Sequence, residues 1–97
     1  MPPPWKIRYY VSEQGTKPFE DFIKKLETRQ QVECAACIEL LRLRGDTLRG
    51  HRYLTHPNGL REIRDRSMRI FYVCEGDEVI LIDGQIPVQG EEFCDDI

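Results

Sequence analysis

The sequence predicts a two-layer α+β domain with the element order β-α-α-β-β-β, in which a helical hairpin packs on one face of a mostly antiparallel sheet. Three observations predict it. Apolar and polar residues alternate over 5–11, two segments with helical apolar spacing run from there to Gly45, and three strand-like runs follow residue 59. At 97 residues we expect a single domain, 1–97, in which 84–97 form an acidic tail.

The first half of the chain predicts one strand and two helices. The strand should place four apolar side chains on one face, namely Trp5, Ile7, Tyr9 and Val11. Pro18 favours the first turn of a helix that we expect to end near Glu27. Thr28 is the predicted N-cap of the second helix, which should start near Arg29 and end at Gly45.

The second half predicts a loop over 45–59 and then a three-stranded sheet. The predicted strands are Leu60–Asp65, Met68–Glu75 and Glu78–Asp83, with hairpin turns at Arg66-Ser67 and Gly76-Asp77. The last strand is apolar at each of its central positions, so we expect it inside the sheet and covered on both faces. The sheet face opposite the helices should stay open to a partner or a substrate.

The spacing of the cysteines bears on whether the protein holds a metal. Cys34 and Cys37 form a C-x-x-C within the second predicted helix, and we interpret them as small core thiols because no second close pair completes a zinc site. We therefore expect no metal and no cofactor.

The start lacks the pattern of a signal peptide, and no apolar stretch near either end approaches the roughly 20 residues of a membrane span. We expect a cytoplasmic protein that does not enter the membrane.

Charge is strongly segregated along the chain. Residues 42–72 contain eight Arg and three acidic residues, whereas 73–97 contain eight acidic residues and no Lys or Arg. An all-Arg basic segment favours a phosphate-binding surface, because the planar guanidinium can hold phosphate through two hydrogen bonds. A solvated charged surface with no specific ligand is the alternative interpretation.

Three runs in order resemble the RelE/HigB toxin superfamily, and within it the phage-derived HigB-like toxins. They are Asn58–Arg64, Met68–Val73 and Val79–Ile82. The resemblance implies the toxin of a type II toxin–antitoxin pair that cleaves mRNA, often on the ribosome. It also implies a tightly bound antitoxin partner, which we expect to be of the helix-turn-helix type.

The resemblance and the strand pattern together give the candidate site residues. Arg64 and Arg69 match the family's functional arginines, and the alternation predicts that both project from the open face beside Phe71, on which a base could stack. The candidate proton carriers are His51, His56 and Tyr72, although Tyr72 could instead be a core or rim aromatic whose hydroxyl reaches water. Arg52 and Arg61 complete the predicted RNA-binding set. The alternative is that Arg64 and Arg69 form surface ion pairs with Glu62.

The end of the chain departs from the family. Family members continue after the last strand with a lysine-rich segment containing His or Phe, whereas 83–97 contain no Lys, Arg or His. This difference favours a second hypothesis, a catalytically inactive binder such as a ParE-like gyrase inhibitor or a phage-derived regulatory protein. A plain interaction domain with structural cysteines is the third.

The acidic tail could shield the arginines by mimicking nucleic acid. On this hypothesis, deleting 85–97 raises the affinity for RNA, because carboxylates that compete with phosphate are removed. Titration of labelled RNA at several salt concentrations measures the effect. Unchanged affinity together with unchanged salt dependence would rule out shielding.

Overall fold

The computed structural model describes residues 4–86 and confirms the α+β class. In chain order the elements are β1 Lys6–Tyr9, α1 Pro18–Lys24, α2 Thr28–Arg44, a 3-10 turn Gly45–Thr47, β2 Tyr53–Thr55, β3 Arg61–Arg64, β4 Arg69–Glu75 and β5 Glu78–Gln85. The five strands form one sheet in the order β1-β5-β4-β3-β2. Among the strand pairs of residues 4–86, only β1–β5 is parallel, so the sheet is mostly antiparallel as expected.

The prediction that Thr28 caps the second helix is wrong, because Glu27 occupies that position. The backbone of Glu27 is extended, and its side chain accepts a hydrogen bond from the backbone amide of Gln30. The Gln30 side chain in turn accepts the Glu27 amide at 3.0 Å, which completes a capping box. The first helix ends at Lys24, earlier than predicted. The backbone amides of Lys25 and Leu26 donate to the carbonyls three residues earlier, of Phe22 and Ile23, which is the pattern of a 3-10 turn.

β2 was not predicted, because its three residues lie within the stretch 45–59 that we expected to be a loop. It pairs antiparallel with β3, and Leu54 lies opposite Glu62. The glycines, Pro57 and Asn58 around it dominate the local pattern. Backbone hydrogen bonds from His56 to Leu60 (2.8 Å) and from Gly59 to His56 (2.9 Å) close the turn from β2 to β3.

The predictions for the last two strands are largely confirmed. The two-residue turn Gly76-Asp77 joins β4 to β5, and Glu75 pairs with Glu78. The turn between β3 and β4 is wider than predicted and spans 65–68. β5 lies in the sheet interior and continues to Gln85, beyond the expected end. The rest of the predicted acidic tail, 87–97, lies outside the described residues.

The core lies between the helices and one face of the sheet. Its members are apolar side chains from both layers, including Phe19, Phe22, Leu41, Ile63, Ile70, Tyr72, Val79 and Leu81. The predicted apolar face of β1 is only partly buried: Trp5 and Ile7 pack against this core, but Tyr9 and Val11 are exposed because β1 is an edge strand. Within the described residues, neither helix is long and apolar enough to cross a membrane.

Gly45 ties β1 to the end of α2. It is buried with φ +50°, and a Cβ placed on it would overlap the indole ring of Trp5. The Trp5 amide donates to the Arg42 carbonyl at 2.8 Å, so the chain on both sides of this contact is fixed. No side chain larger than that of glycine fits there.

We therefore expect Gly45→Ala to destabilise the protein more than Gly76→Ala. Both glycines have positive φ, +50° and +57°, so each substitution carries a conformational cost. Only Gly45 adds an overlap, since nothing lies within 4 Å of a Cβ at Gly76. Urea denaturation should show an additional loss of about 1–3 kcal/mol for Gly45→Ala. Equal losses would contradict this packing account.

Candidate functional site

The register of β3 and β4 brings two arginines together on the sheet face opposite the helices. Arg64 lies directly across from Arg69, and Glu62 lies across from Phe71. The intervening residues Ile63 and Ile70 are buried in the core on the helical side. Because side chains alternate along a strand, Glu62, Arg64, Arg69 and Phe71 share the other face, as the alternation predicts for the arginines and Phe71.

Glu62 is the centre of a cluster on this open face. Its side chain is only 4% exposed, although it lies on the sheet face opposite the two helices of the described residues. His56 Nε2 lies 3.0 Å from Glu62 Oε1, and Arg64 Nε donates to Glu62 Oε2 at 3.0 Å. Arg69 Nε lies 3.8 Å from the same Oε2. We call His56, Glu62, Arg64 and Arg69 the Glu62 cluster.

The electrostatics of the cluster keep Glu62 ionised. Burial alone would raise the pKa of Glu62, but hydrogen bonds from His56 and Arg64 and the charges of Arg64 and Arg69 outweigh burial and lower it. An ionised carboxylate only accepts hydrogen bonds, so Nε2 of His56 must carry the hydrogen in this contact. Two guanidinium groups therefore lie beside one buried carboxylate and one oriented imidazole.

The end of β2 places His56 in the cluster. β2 stops at Thr55, and the turn that follows is closed by the two backbone hydrogen bonds of His56. The imidazole thereby faces Glu62, six residues further along the chain, while remaining partly exposed. A partly exposed ring with one nitrogen fixed is suited to exchanging a proton with a ligand.

Two of the predicted site residues lie on the opposite face. Tyr72 is 1% exposed in the core, and burial, the largest effect, raises its pKa to about 12. Arg61 pairs with Tyr72 across the strands and donates to the Asp46 carbonyl at 3.3 Å. The structure therefore does not bring Tyr72 or Arg61 to the Glu62 cluster, because their strand positions alternate with those of Glu62 and Arg64.

Arg52 pairs with Asp65, which is not part of the Glu62 cluster. Its Nη1 lies 3.6 Å from Asp65 Oδ1. After burial, the charges of Asp65 and Arg52 also affect the pKa of the Cys37 thiol on α2. Phe71, by contrast, is half-buried on the open face beside Glu62, where the sequence predicted a surface for stacking.

The two cysteines of the C-x-x-C motif belong to the core region. Cys34 is 2% exposed, and Cys37 packs against the buried cluster. Burial is the main cause that raises the pKa of Cys34 to about 11 and that of Cys37 to about 12, so both thiols stay protonated at neutral pH. Among residues 4–86, no group of His, Cys, Asp and Glu is arranged to hold a metal ion.

Sequence reasoning missed the central role of Glu62, which it considered only as a partner in surface ion pairs. Its position on the same strand face as Arg64 was visible, but its burial was not. That burial depends on β2, which the sequence did not reveal, because Leu54 lies directly opposite Glu62. The signal that the sequence did offer is the alternation that places Glu62 on the same strand face as Arg64.

Comparison with known proteins adds no relative: no family model matches the chain, and no curated protein matches it. The resemblance to RelE/HigB toxins therefore depends on the three sequence runs and remains a prediction. The functional argument has to start from the geometry of the Glu62 cluster.

The lowered pKa of Glu62 predicts a pH-dependent contribution to stability. Glu62→Ala should reduce the free energy of unfolding by about 3 kcal/mol at pH 7, the low end for a broken buried pair, because its arginine partners are partly exposed. A depressed pKa stabilises the fold above the ordinary value of 4.5, and that contribution disappears as the pH falls through the lowered pKa.

Urea denaturation of both proteins between about pH 3 and pH 7 checks this. The difference between wild type and Glu62→Ala should shrink at the acidic end. A difference that stays constant over the whole range would contradict an ionised Glu62 in the native state.

Proposed function

We propose that this chain is an RNA-directed toxin of the RelE/HigB type that cleaves mRNA at the Glu62 cluster. The observation that carries the proposal is the pairing of Arg64 with Arg69 on an open sheet face, beside an imidazole held by the same carboxylate. The sequence resemblance supports the toxin assignment.

The two arginines suit a phosphate. Guanidinium groups bind phosphate oxygens through paired hydrogen bonds and keep their charge at every physiological pH. Arg64 and Arg69 are 27% and 28% exposed, so they remain accessible while their surroundings are drier than bulk water. Attraction to an anion is stronger there than at a fully exposed site.

His56 supplies the proton chemistry of the proposed reaction. The RNA 2′-oxygen forms a bond to the adjacent phosphorus while the bond from phosphorus to the 5′-oxygen breaks. The proton of the 2′-hydroxyl passes to His56, and water protonates the departing 5′-oxygen. The products are a 2′,3′-cyclic phosphate and a 5′-hydroxyl, and the arginines stabilise the extra negative charge of the transition state.

Phe71 extends the site toward the base. It lies across from Glu62 on the same face, so a nucleotide whose phosphate contacts the arginines would place its base near this ring. Base stacking on an aromatic side chain tolerates any sequence. This arrangement favours single-stranded RNA, whose bases are accessible.

The proposal implies a location, a partner and a target that are typical of such toxins. It implies a cytoplasmic protein, an antitoxin partner of the helix-turn-helix type, and mRNA as the target, either alone or on the ribosome. The resemblance supports these features, and a neighbouring gene for a short helix-turn-helix protein would agree with them.

One observation favours a second candidate function. The segment 83–97 has no Lys, Arg or His, whereas the toxins that the chain resembles have basic side chains there. The same fold and the same open face could then serve a binder without nuclease activity, either a ParE-like gyrase inhibitor or a phage-derived regulator.

Inducible expression in a bacterium tests the proposal. Wild-type protein should arrest growth with cleaved mRNA, and Arg64→Ala/Arg69→Ala should abolish both effects, with at least about a hundredfold loss of cleavage. The matched control is Arg29→Ala/Arg44→Ala, which removes the same charge from two exposed positions on α2. We expect it to retain activity.

Two outcomes would overturn the nuclease proposal. Growth arrest with intact mRNA and altered DNA supercoiling would support the gyrase alternative instead. Absence of any growth arrest, with the protein folded and present, would reject the toxin assignment.

A further inference from the structure

We propose that Glu62 is a positioning residue that fixes the tautomer of His56 and leaves Nδ1 as the ring nitrogen that takes the proton of the RNA 2′-hydroxyl. This inference rests on the proposed function for the reaction itself. The contacts of Glu62 carry it, and they can be tested whether or not the protein cleaves RNA.

The two oxygens of Glu62 have separate partners. Oε1 lies 3.0 Å from His56 Nε2, while Oε2 accepts from Arg64 and lies near Arg69. The carboxylate is thus held from the arginine side, and it cannot rotate away from His56 without losing the Arg64 hydrogen bond. With a side chain 4% exposed, it also meets little competition from water.

This contact determines where the imidazole keeps its hydrogen. A neutral imidazole carries one N–H, and the ionised Glu62 requires that hydrogen on Nε2. Nδ1 is left with its lone pair, so it is the nitrogen able to accept a proton. When Nδ1 takes the 2′-hydroxyl proton, the ring becomes a cation whose charge the neighbouring carboxylate stabilises.

The carboxylate and the two guanidinium groups of the Glu62 cluster belong to two strands. Glu62 and Arg64 come from β3, and Arg69 comes from β4. Glu62 is the one acidic residue of the cluster, so it offsets part of the positive charge that phosphate experiences. Removing its charge should therefore affect binding and cleavage in opposite directions.

The inference also restricts the substrate class. The proton that Nδ1 accepts comes from a 2′-hydroxyl, so RNA is cleaved, whereas DNA of the same sequence binds through its phosphates without being cut. The presence of the 2′-oxygen alone would distinguish RNA from DNA, and no contact to a base edge is required.

Glu62→Gln is the informative variant, because the amide keeps the shape and one acceptor oxygen but loses the charge. The matched control is Glu39→Gln, which makes the same change at an exposed carboxylate paired with Arg42 on α2. The probe is one RNA oligonucleotide for cleavage and its all-2′-deoxy form for binding.

In Glu62→Gln we expect cleavage to slow at least about tenfold, as for the loss of an orienting partner. Binding of the deoxy probe should not weaken, and its salt dependence should become steeper, because the site has gained one net positive charge. Glu39→Gln should behave as wild type. Parallel losses of binding and cleavage in Glu62→Gln would reduce Glu62 to a structural role and overturn the proposal.

Nitrogen-15 spectra of the histidine rings provide the second measurement, which is independent of nuclease activity. When the ring is neutral, wild-type His56 should carry its hydrogen on Nε2 and leave Nδ1 unprotonated, and Glu62→Gln should change these signals. His51, which is exposed, is the internal reference and should not change.

The spectra separate the two proposals. A wild-type protein that cleaves no RNA but shows the Nε2–H form of His56, altered in Glu62→Gln, would reject the nuclease function and support the positioning role. A neutral wild-type ring with its hydrogen on Nδ1 and none on Nε2 would overturn the positioning role even if RNA is cleaved. This wild-type spectrum decides the matter should Glu62→Gln not fold.

Discussion

The buried carboxylate of Glu62 is the constraint on which the arrangement of the open face depends. An ionised acid at 4% exposure is unfavourable unless cations and hydrogen-bond donors surround it, and here His56, Arg64 and Arg69 do so. The same contacts hold these three side chains near one another. An anionic ligand would therefore meet groups that are already oriented, and binding would require little additional ordering.

The two faces of β3 and β4 have opposite roles, and strand register links them. Ile63 and Ile70 are buried in the core, which determines that Arg64 and Arg69 point outward. A shift of one residue in this pairing would bury the arginines and expose the isoleucines, at a large cost in apolar burial. The hydrophobic core thus secures the position of the polar cluster, although no core side chain belongs to it.

The sequence predicted much of this arrangement, because alternation and short turns are local signals. The class, the helical hairpin, the interior position of the last strand and the outward direction of Arg64 and Arg69 follow from patterns within a few residues. Tyr72 and Arg61 were grouped with Arg64 and Arg69 by residue type, but alternation places them on the other face. Glu62 and His56 could not be joined in advance, since their contact requires β2, a three-residue strand whose local signal is masked by glycine and proline.

In the proposed reaction, the short strand β2 is therefore the element that adds an imidazole to a pair of arginines. Without it, Arg64 and Arg69 would still flank Glu62, and the open face could bind a phosphate but would have no base within reach. Three backbone pairs with β3 and one closed turn are sufficient to bring an imidazole to Oε1 of Glu62. An edge strand of this length contributes little to the core. Its contribution to the open face is larger, because it sets the contact between His56 and Glu62 on which the proposed proton transfer depends.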